Sequence, residues 1–460
     1  MRDQDKKLAF IATWGCQMNE HDSEIMRALL ENSGYQGTDN LREADLVILN
    51  TCSVRKHAEQ KALGFLGNLK HLKKKRPGTL IAVGGCMTQN PEIVNYLQKE
   101  APYINLLFGT RNFHHLPDLI KKAEETGSQV IELGTENEEL PGLLPAHRTD
   151  PVKAYVTIMY GCDNFCAYCI VPYTRGREKS RPLSEIAEEI ENLVAQGCLE
   201  VMLLGQNVNS YGKDLPGGVN FATLLRRLDQ IPGLARIRYM TSHPRDFSDE
   251  LIKTIVNSQK VCEHFHLPLQ AGSNKILQKM NRGYTREQYL RLTEKIREAI
   301  PAASITTDLI VGFPGETVED FQDTLELVEK LQFDAAYTFM FSPRPGTQAA
   351  NMKEQVPLPE KKVRLNQLTK IQNQISLDRN RTLEGQVWEV LVEGKSKTNP
   401  ARLTGRTRTN KIVVFDGEEI LKGKIVEVKI ECAQTWTLFG SLTKIRKKEE
   451  SLPLARIKYI

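Results

Sequence analysis

Residues 154–169 read AYVTIMYGCDNFCAYC, and the fold turns on this stretch. Residues 154–159 are β-rich and apolar, as a buried parallel strand is. Directly after them come Cys162, Cys166 and Cys169, in C-x3-C-x2-C spacing. Three thiolates on one tight loop can hold three irons of a 4Fe–4S cluster and leave the fourth iron open to a ligand. Structural zinc is the competing reading. It takes four ligands in a closed tetrahedron, and the fourth would have to come from elsewhere, His264 or His266 for instance.

Downstream the pattern of that strand repeats. EVMLLG (200–205), RIRYMTS (236–242), EHFHLPL (263–269), ITTDLIVG (305–312) and AAYTFMF (335–341) read as strands. Amphipathic helices fill the gaps, most clearly 181–197, 285–301 and 316–332. Six βα units over residues 151–378 predict a partial (β/α)6 barrel, in which sites form at the C-terminal ends of the strands. The cysteine loop stands at such an end. The turns Gly205-Gln206-Asn207 and Gly312-Phe313-Pro314-Gly315 stand at two others, either as cofactor contacts or as plain strand-to-helix turns. Ser242, His243, Pro244, Arg245 and His266 also fall near strand ends, with a packing role as open as a functional one.

Upstream, residues 1–125 predict a second parallel α/β sheet. LAFIAT (8–13), ADLVILN (44–50) and TLIAVGG (79–85) are its strands, with helices over 21–34 and 54–76 between them. Cys16, Cys52 and Cys86 each follow the C-terminal end of one strand. Those ends share one edge of a parallel sheet, so the three thiols are expected to converge on a second cluster. Gly15, Gly84 and Gly85 permit tight turns there. Three unrelated buried cysteines would show the same spacing. Cys198, Cys262 and Cys432 have no such company and read as packing residues.

Residues 126–150, rich in Pro, Gly and charge, read as a linker. Short alternating β-runs over 379–445, broken by Gly and Asp, predict a small antiparallel β-barrel, followed by a tail over 446–460. The chain has 460 residues and a net charge of +5. After residue 378, 17 Lys and Arg face 10 Asp and Glu, so the positive charge is C-terminal and suggests a polyanion partner. The start MRDQDKKLAF has no apolar h-region, and nine cysteines without an export signal argue against a disulfide framework. The cytoplasm, without a membrane, is the expected compartment.

TWGCQMNEHDSE (13–24), LNTCSVR (49–55), VGGCM (83–87), YGCDNFCAYCIVPYTRGREKSRP (160–182), LLGQNVNSYG (203–212) and DLIVGFPGET (308–317) together resemble the radical S-adenosylmethionine (SAM) methylthiotransferases, most closely the MiaB-type tRNA methylthiotransferases. The resemblance implies that Cys162, Cys166 and Cys169 hold the radical SAM 4Fe–4S cluster. Cys16, Cys52 and Cys86 would hold an auxiliary 4Fe–4S cluster that supplies sulfur. It implies methylthiolation at C2 of N6-isopentenyladenosine beside the anticodon, driven by a 5′-deoxyadenosyl radical, with no catalytic residue beyond the cluster ligands. Gly205, Gln206, Asn207, Gly312 and Pro314 would then touch SAM. The C-terminal barrel resembles the TRAM domain, an RNA-binding module. Tyr173, Arg175, Arg177 and Lys179 after the cysteine loop, with Arg402, Arg406, Arg408 and Lys411 in the barrel, are the expected tRNA contacts. The expected partners are the tRNA anticodon stem-loop, SAM and a low-potential electron donor such as flavodoxin, and the expected state is a monomer. Two alternatives stand beside this reading. One is a sister methylthiotransferase acting on threonylcarbamoyl-adenosine in tRNA or on a ribosomal-protein aspartate. The other is a non-catalytic RNA-binding protein whose cysteines hold zinc.

Overall fold

The computed structural model describes residues 6–53, 56–135 and 143–446. The first sheet comprises β1 (Lys7–Thr13), β2 (Tyr35–Gly37), β3 (Leu46–Thr51), β4 (Leu80–Gly85), β5 (Leu106–Phe108) and β6 (Val130–Glu132). All pairs are parallel, in the order β2-β1-β3-β4-β5-β6. Every residue of β3 is buried, and residues 46–49 form a continuous apolar run rather than an alternating one. The order reverses at β1, which places a topological switch point between β1 and β3, where ligands of open α/β sheets bind. Two expectations change here. β6 lies inside the stretch read as linker, and Leu144 and Ala146 of that stretch pack on the sheet's core. The first helix runs Gln17–Asn32, four residues earlier than its apolar period suggests, because its first turns bury polar Asn19, His21 and Asp22.

The central domain begins with β7 (Lys153–Thr157) and a short ribbon of β8 (Met159–Tyr160) with β9 (Lys179–Ser180) that brackets the cysteine loop. The main strands continue with β10 (Glu200–Leu204), β11 (Arg236–Tyr239), β12 (His264–His266), β13 (Ser304–Val311) and β14 (Ala335–Met340). Two three-stranded parallel sheets, β11-β10-β7 and β12-β13-β14, are joined through Ile237, whose carbonyl accepts from the Cys262 N–H at 2.9 Å. The result is the six-stranded partial barrel. Val156, Leu203, Ile237, Phe265, Ile305 and Leu309 lose all exposure in its core. Each such side chain contributes about 1.5–3 kcal/mol of burial. Thr285 with Gln288 and Thr317 with Asp320 form capping boxes that start helices Arg286–Ala299 and Val318–Leu331.

A closed barrel follows the long helix Leu358–Arg381, made of β15 (Val387–Lys395), β16 (Leu403–Thr407), β17 (Ile412–Phe415), β18 (Ile425–Ala433) and β19 (Thr437–Ile445), in the order β15-β16-β17-β19-β18. Cys198 and Cys262 are buried, as packing residues should be, but Cys432 is exposed. A bulge between Ile430 and Cys432 breaks the strand's inward alternation and passes the buried position to Ala433. Residues 447–460, most of the expected tail, lie outside the described residues.

The small barrel sits under the central one, against the N-terminal ends of its strands. Arg236 reaches Glu389 at 2.8 Å, and Arg238 donates to the Thr407 carbonyl at 2.7 Å. Arg408 pairs with Glu263 at 2.8 Å and donates to the Val261 carbonyl, while Lys411 pairs with Asp334 at 2.9 Å. Arg408 and Lys411, expected as RNA contacts, therefore have their charges engaged in fastening two domains together. Within the small barrel, Arg406 pairs with Glu393 at 3.2 Å and Arg402 with Asp416 at 2.8 Å. The Arg408–Glu263 pair is half-buried, so removing one partner costs less than the roughly 3–5 kcal/mol of a fully buried pair, water screening the charge left behind. Arg408→Met should accordingly speed hydrogen exchange in Arg236–Tyr239 and Leu403–Thr407 while leaving the first sheet unchanged. Equal exchange throughout would show that the pair does not hold the interface.

Candidate metal centres and cofactor pocket

The parallel register brings the first cysteine trio to one edge. Thr13 pairs with Asn50, Asn50 with Gly84 and Thr51 with Gly85, so β1, β3 and β4 end side by side. Cys52 follows β3 and Cys86 follows β4. Cys16 occupies the N-cap of helix Gln17–Asn32, where the helix dipole favours a thiolate. The loops press closely. A Cβ on Gly15 would meet the Cys52 Cβ at 2.7 Å, and one on Gly85, at φ +94°, would meet the Thr51 carbonyl oxygen at 2.3 Å. Cys52 and Cys86 are buried and Cys16 is exposed. Asn19 stitches the edge together. Its carbonyl oxygen accepts from Cys16 Sγ at 3.3 Å, and its amide donates to the Thr51 carbonyl at 2.8 Å. Burial pushes the Cys86 thiol up, and the nearby Arg175 guanidinium opposes that push.

The second trio lies on the loop after β8. The Cys169 N–H donates to the Cys166 carbonyl at 2.8 Å and the Cys162 N–H to the Gly176 carbonyl at 3.0 Å. Phe165 adopts φ +45°, a left-handed turn that coils the three thiols together. Burial, with neighbouring charge, pushes Cys162 up to about 11 and Cys169 up to about 12. Neutral thiols of this kind release protons when a cation arrives. The buried Arg282, which sequence reasoning missed, donates to Cys166 Sγ at 3.2 Å and to the Pro268 carbonyl at 2.8 Å. His264 and His266 both hydrogen-bond the Thr306 hydroxyl, at 3.0 and 3.1 Å, within the barrel wall. Among the described residues, no three His, Cys, Asp or Glu side chains gather as ligands of a single metal ion do. A four-iron core spreads its thiolates more widely than one ion does, and the thiol-rich donor set of both trios suits iron–sulfur chemistry.

Beside the second trio, four buried atoms lack a hydrogen-bond partner in the structure: Gln206 Oε1, Ser242 Oγ, His243 Nε2 and Gln270 Oε1. They follow three neighbouring strands, β10, β11 and β12, at the C-terminal end of the barrel. Buried polar atoms are otherwise almost always satisfied, so they mark space for a polar cofactor. Thr241 and Gln270 hold φ of +69° and +74°, strained values of a kind that clusters at ligand sites. Asn207 is engaged within the chain, donating to Asp246 at 2.9 Å. Gly205 packs so close to Met159 that a Cβ would stand 2.7 Å from its Cγ. The Gly312 N–H donates to the buried Glu316 at 2.6 Å, and Gly315 beyond Pro314 bonds the Glu354 carbonyl at 2.8 Å. The carboxyl of Glu316 pairs with Arg364. A cavity of about 490 Å³ also opens between helix Gln17–Asn32 and the barrel lumen, lined by Glu20, Tyr155, Met202 and Arg238, but none of the six cysteines lines it.

The expected RNA residues after the cysteine loop divide. Tyr173, Arg177 and Lys179 are exposed, with Arg177 lying over the Phe165 ring at 5.1 Å. Arg175 is buried and pairs with Asp22 of the first domain at 2.8 Å, so it is no RNA contact. Its charge was legible in the sequence, but its partner, 153 residues away, was not.

The sequence matches the Radical SAM superfamily over residues 156–328, the uncharacterized protein family UPF0004 over 8–109 and the TRAM domain over 381–443. Among solved structures, the radical SAM methyltransferase TsrM from Kitasatospora setae is similar with a TM-score of 0.56 at 15% identity, covering 75% of this chain and 77% of that one. The cobalamin-dependent SAM radical enzyme OxsB gives 0.52 at 12%, covering 80% and 56%. These likenesses show the fold, which with the superfamily match defines a radical SAM enzyme, using an iron–sulfur cluster and SAM. Two tRNA-2-methylthio-N(6)-dimethylallyladenosine synthases narrow the class. That of Syntrophomonas wolfei is 53% identical over 96% of this chain and 99% of the relative, and that of Moorella thermoacetica is 53% identical over 95% and 98%. The chain belongs to the tRNA-2-methylthio-N(6)-dimethylallyladenosine synthase family. No described helix is long and apolar enough to cross a membrane.

Two outcomes follow from the site's geometry. Gly85→Ala should cost at least about 1 kcal/mol, since alanine is strained at this φ, and should lower iron bound at the first trio, read by anaerobic metal analysis. Burial holds His243 down to about 2, so the folded ring stays neutral while the unfolded ring takes a proton near 6.5. Stability from this residue is therefore complete above pH 6.5 and falls below it, by up to about 1.4 kcal/mol per pH unit. His243→Gln should lose less thermal stability than the parent between pH 7 and pH 5.

Proposed function

We propose that this chain inserts a methylthio group at C2 of N6-isopentenyladenosine beside the anticodon, using two 4Fe–4S clusters and SAM. The observation that carries this reading is the side-by-side ending of β1, β3 and β4. It gathers Cys16, Cys52 and Cys86 at the edge onto which Arg175, six residues after Cys169, is docked. Three further thiols, Cys162, Cys166 and Cys169, hold the cluster that meets SAM. When bound, the two clusters supply reductive cleavage of SAM and the transferred sulfur. The protein's own groups bind and orient. Gln206, Ser242, His243 and Gln270 offer their unpartnered atoms to the polar groups of SAM, and neutral His243 adds no positive charge beside its sulfonium. Arg282 fixes Cys166 from behind. Tyr173, Arg177 and Lys179 meet RNA at the rim of the cysteine loop, where phosphate and base contacts are both available. In the small barrel, exposed Lys397, Lys422, Lys429 and Trp436 stand in for the arginines already paired within the chain. The enzyme works as a cytoplasmic monomer, fed by a low-potential donor such as flavodoxin.

A nucleoside digest of tRNA from a strain lacking the gene tests the reaction. Loss of the methylthio nucleoside with build-up of its isopentenyl precursor is expected, and persistence of the methylthio form would overturn the assignment. Anaerobic analysis of the reconstituted chain should find about eight irons with matching sulfide. Cys162→Ala and Cys16→Ala should each remove about half. Zinc without sulfide would instead support the non-catalytic alternative.

A further inference from the structure

At the cysteine edge, the central domain supplies a counter-charge. Arg175 comes from the central domain, on the short helix Val171–Arg175 that follows the second trio. It is buried, and one terminal nitrogen donates to Asp22 at 2.8 Å and to Asn19 at 3.2 Å. Asn19 in turn accepts from Cys16 Sγ at 3.3 Å, so guanidinium, amide and thiol form one continuous chain. The helix is held in place by the Thr110 hydroxyl, which donates to the Thr174 carbonyl at 2.6 Å. A second arginine of the central domain, Arg344, pairs with Glu59 at 3.2 Å on the side of Cys52.

Three clustered thiolates, those of Cys52 and Cys86 buried, are a concentrated negative charge, and burying such charge is costly unless an opposite charge stands close. The potential of an iron–sulfur cluster follows its net charge, its burial and the hydrogen bonds its sulfurs accept. A fixed guanidinium beside the ligands favours the reduced state, which carries one more negative charge, and so raises the potential. A carboxylate at the same distance lowers it. Asp22 and Arg175 form one buried pair and therefore act as opposed controls. Asp22 also keeps one oxygen, Oδ1, without a partner.

We infer that Arg175 is a positioning residue by which the central domain sets the reduction potential of the cluster at Cys16, Cys52 and Cys86, balanced by Asp22. The inference rests on the proposal that this trio holds a cluster, and the experiment separates the two. Full-length protein carrying Cys162→Ala, Cys166→Ala and Cys169→Ala retains only the first site. It is reconstituted anaerobically and its iron counted, and its midpoint potential is read by spectroscopically monitored titration. Absence of a cluster in this background would sink the reading of the trio itself. With a cluster present, Arg175→Met should lower the potential by at least a tenfold change in the oxidised-to-reduced ratio, about 59 mV for a one-electron couple. Asp22→Asn should raise it, and Arg175→Lys should stay near the parent. Opposite shifts from the two members of one ion pair are not produced by loosened packing. The inference falls if Asp22→Asn and Arg175→Met leave the potential unchanged or move it the same way. It falls equally if Arg175→Met and Arg175→Lys both lose iron while Asp22→Asn keeps the parent potential, since Arg175 would then be purely a structural clamp.

Discussion

Arg175 and Asp22 stand 2.8 Å apart, both buried, across the seam between two parallel sheets. Neither side chain would be stable there alone, because an unpaired buried charge costs several kcal/mol. Each domain thus carries a group whose burial makes sense only when the other is docked. The pair fixes which edge of the first sheet faces the cysteine loop of the second. The thiols, the close-packed Gly15 and Gly85 and the Asn19 network are placed by the first sheet's own register, and the docking presents them to that loop.

The two sheets solve the same problem by different closures. In both, parallel strands deliver their carboxyl ends to one edge, where loops are free to carry ligands while the apolar strand interiors stay packed. The first sheet remains open and uses its switch point between β1 and β3. The second curves into a six-stranded partial barrel and uses its rim. Arg175 and Arg282 give each trio one buried guanidinium, although the two come from the same domain.

Much of this was readable in the sequence for a simple reason. Buried parallel strands are continuous apolar runs, and the six cysteines follow such runs directly, so strand ends and ligands could be placed together. The start of helix Gln17–Asn32 was not readable, because Asn19, His21 and Asp22 are buried for their hydrogen bonds and leave no apolar period. β6 is only three residues long and sits among linker-like neighbours. The basic residues were misread for a different reason. Composition shows that Arg175, Arg408 and Lys411 are charged, but Asp22, Glu263 and Asp334 lie far away along the chain, and only folding reveals that the charges are spent internally. Cys432 moved outward through a bulge that no periodicity announces.

The small barrel packs against the floor of the central one, while both thiol trios lie at its opposite rim. The central barrel's strands lie between, and the longest of them, β13, has eight residues and runs about 26 Å. A nucleic acid gripped at both places has to drape along the flank of the enzyme. A free nucleoside or a trinucleotide is too short for that. On the proposed reading, the length of the nucleic acid therefore enters recognition alongside the identity of its base.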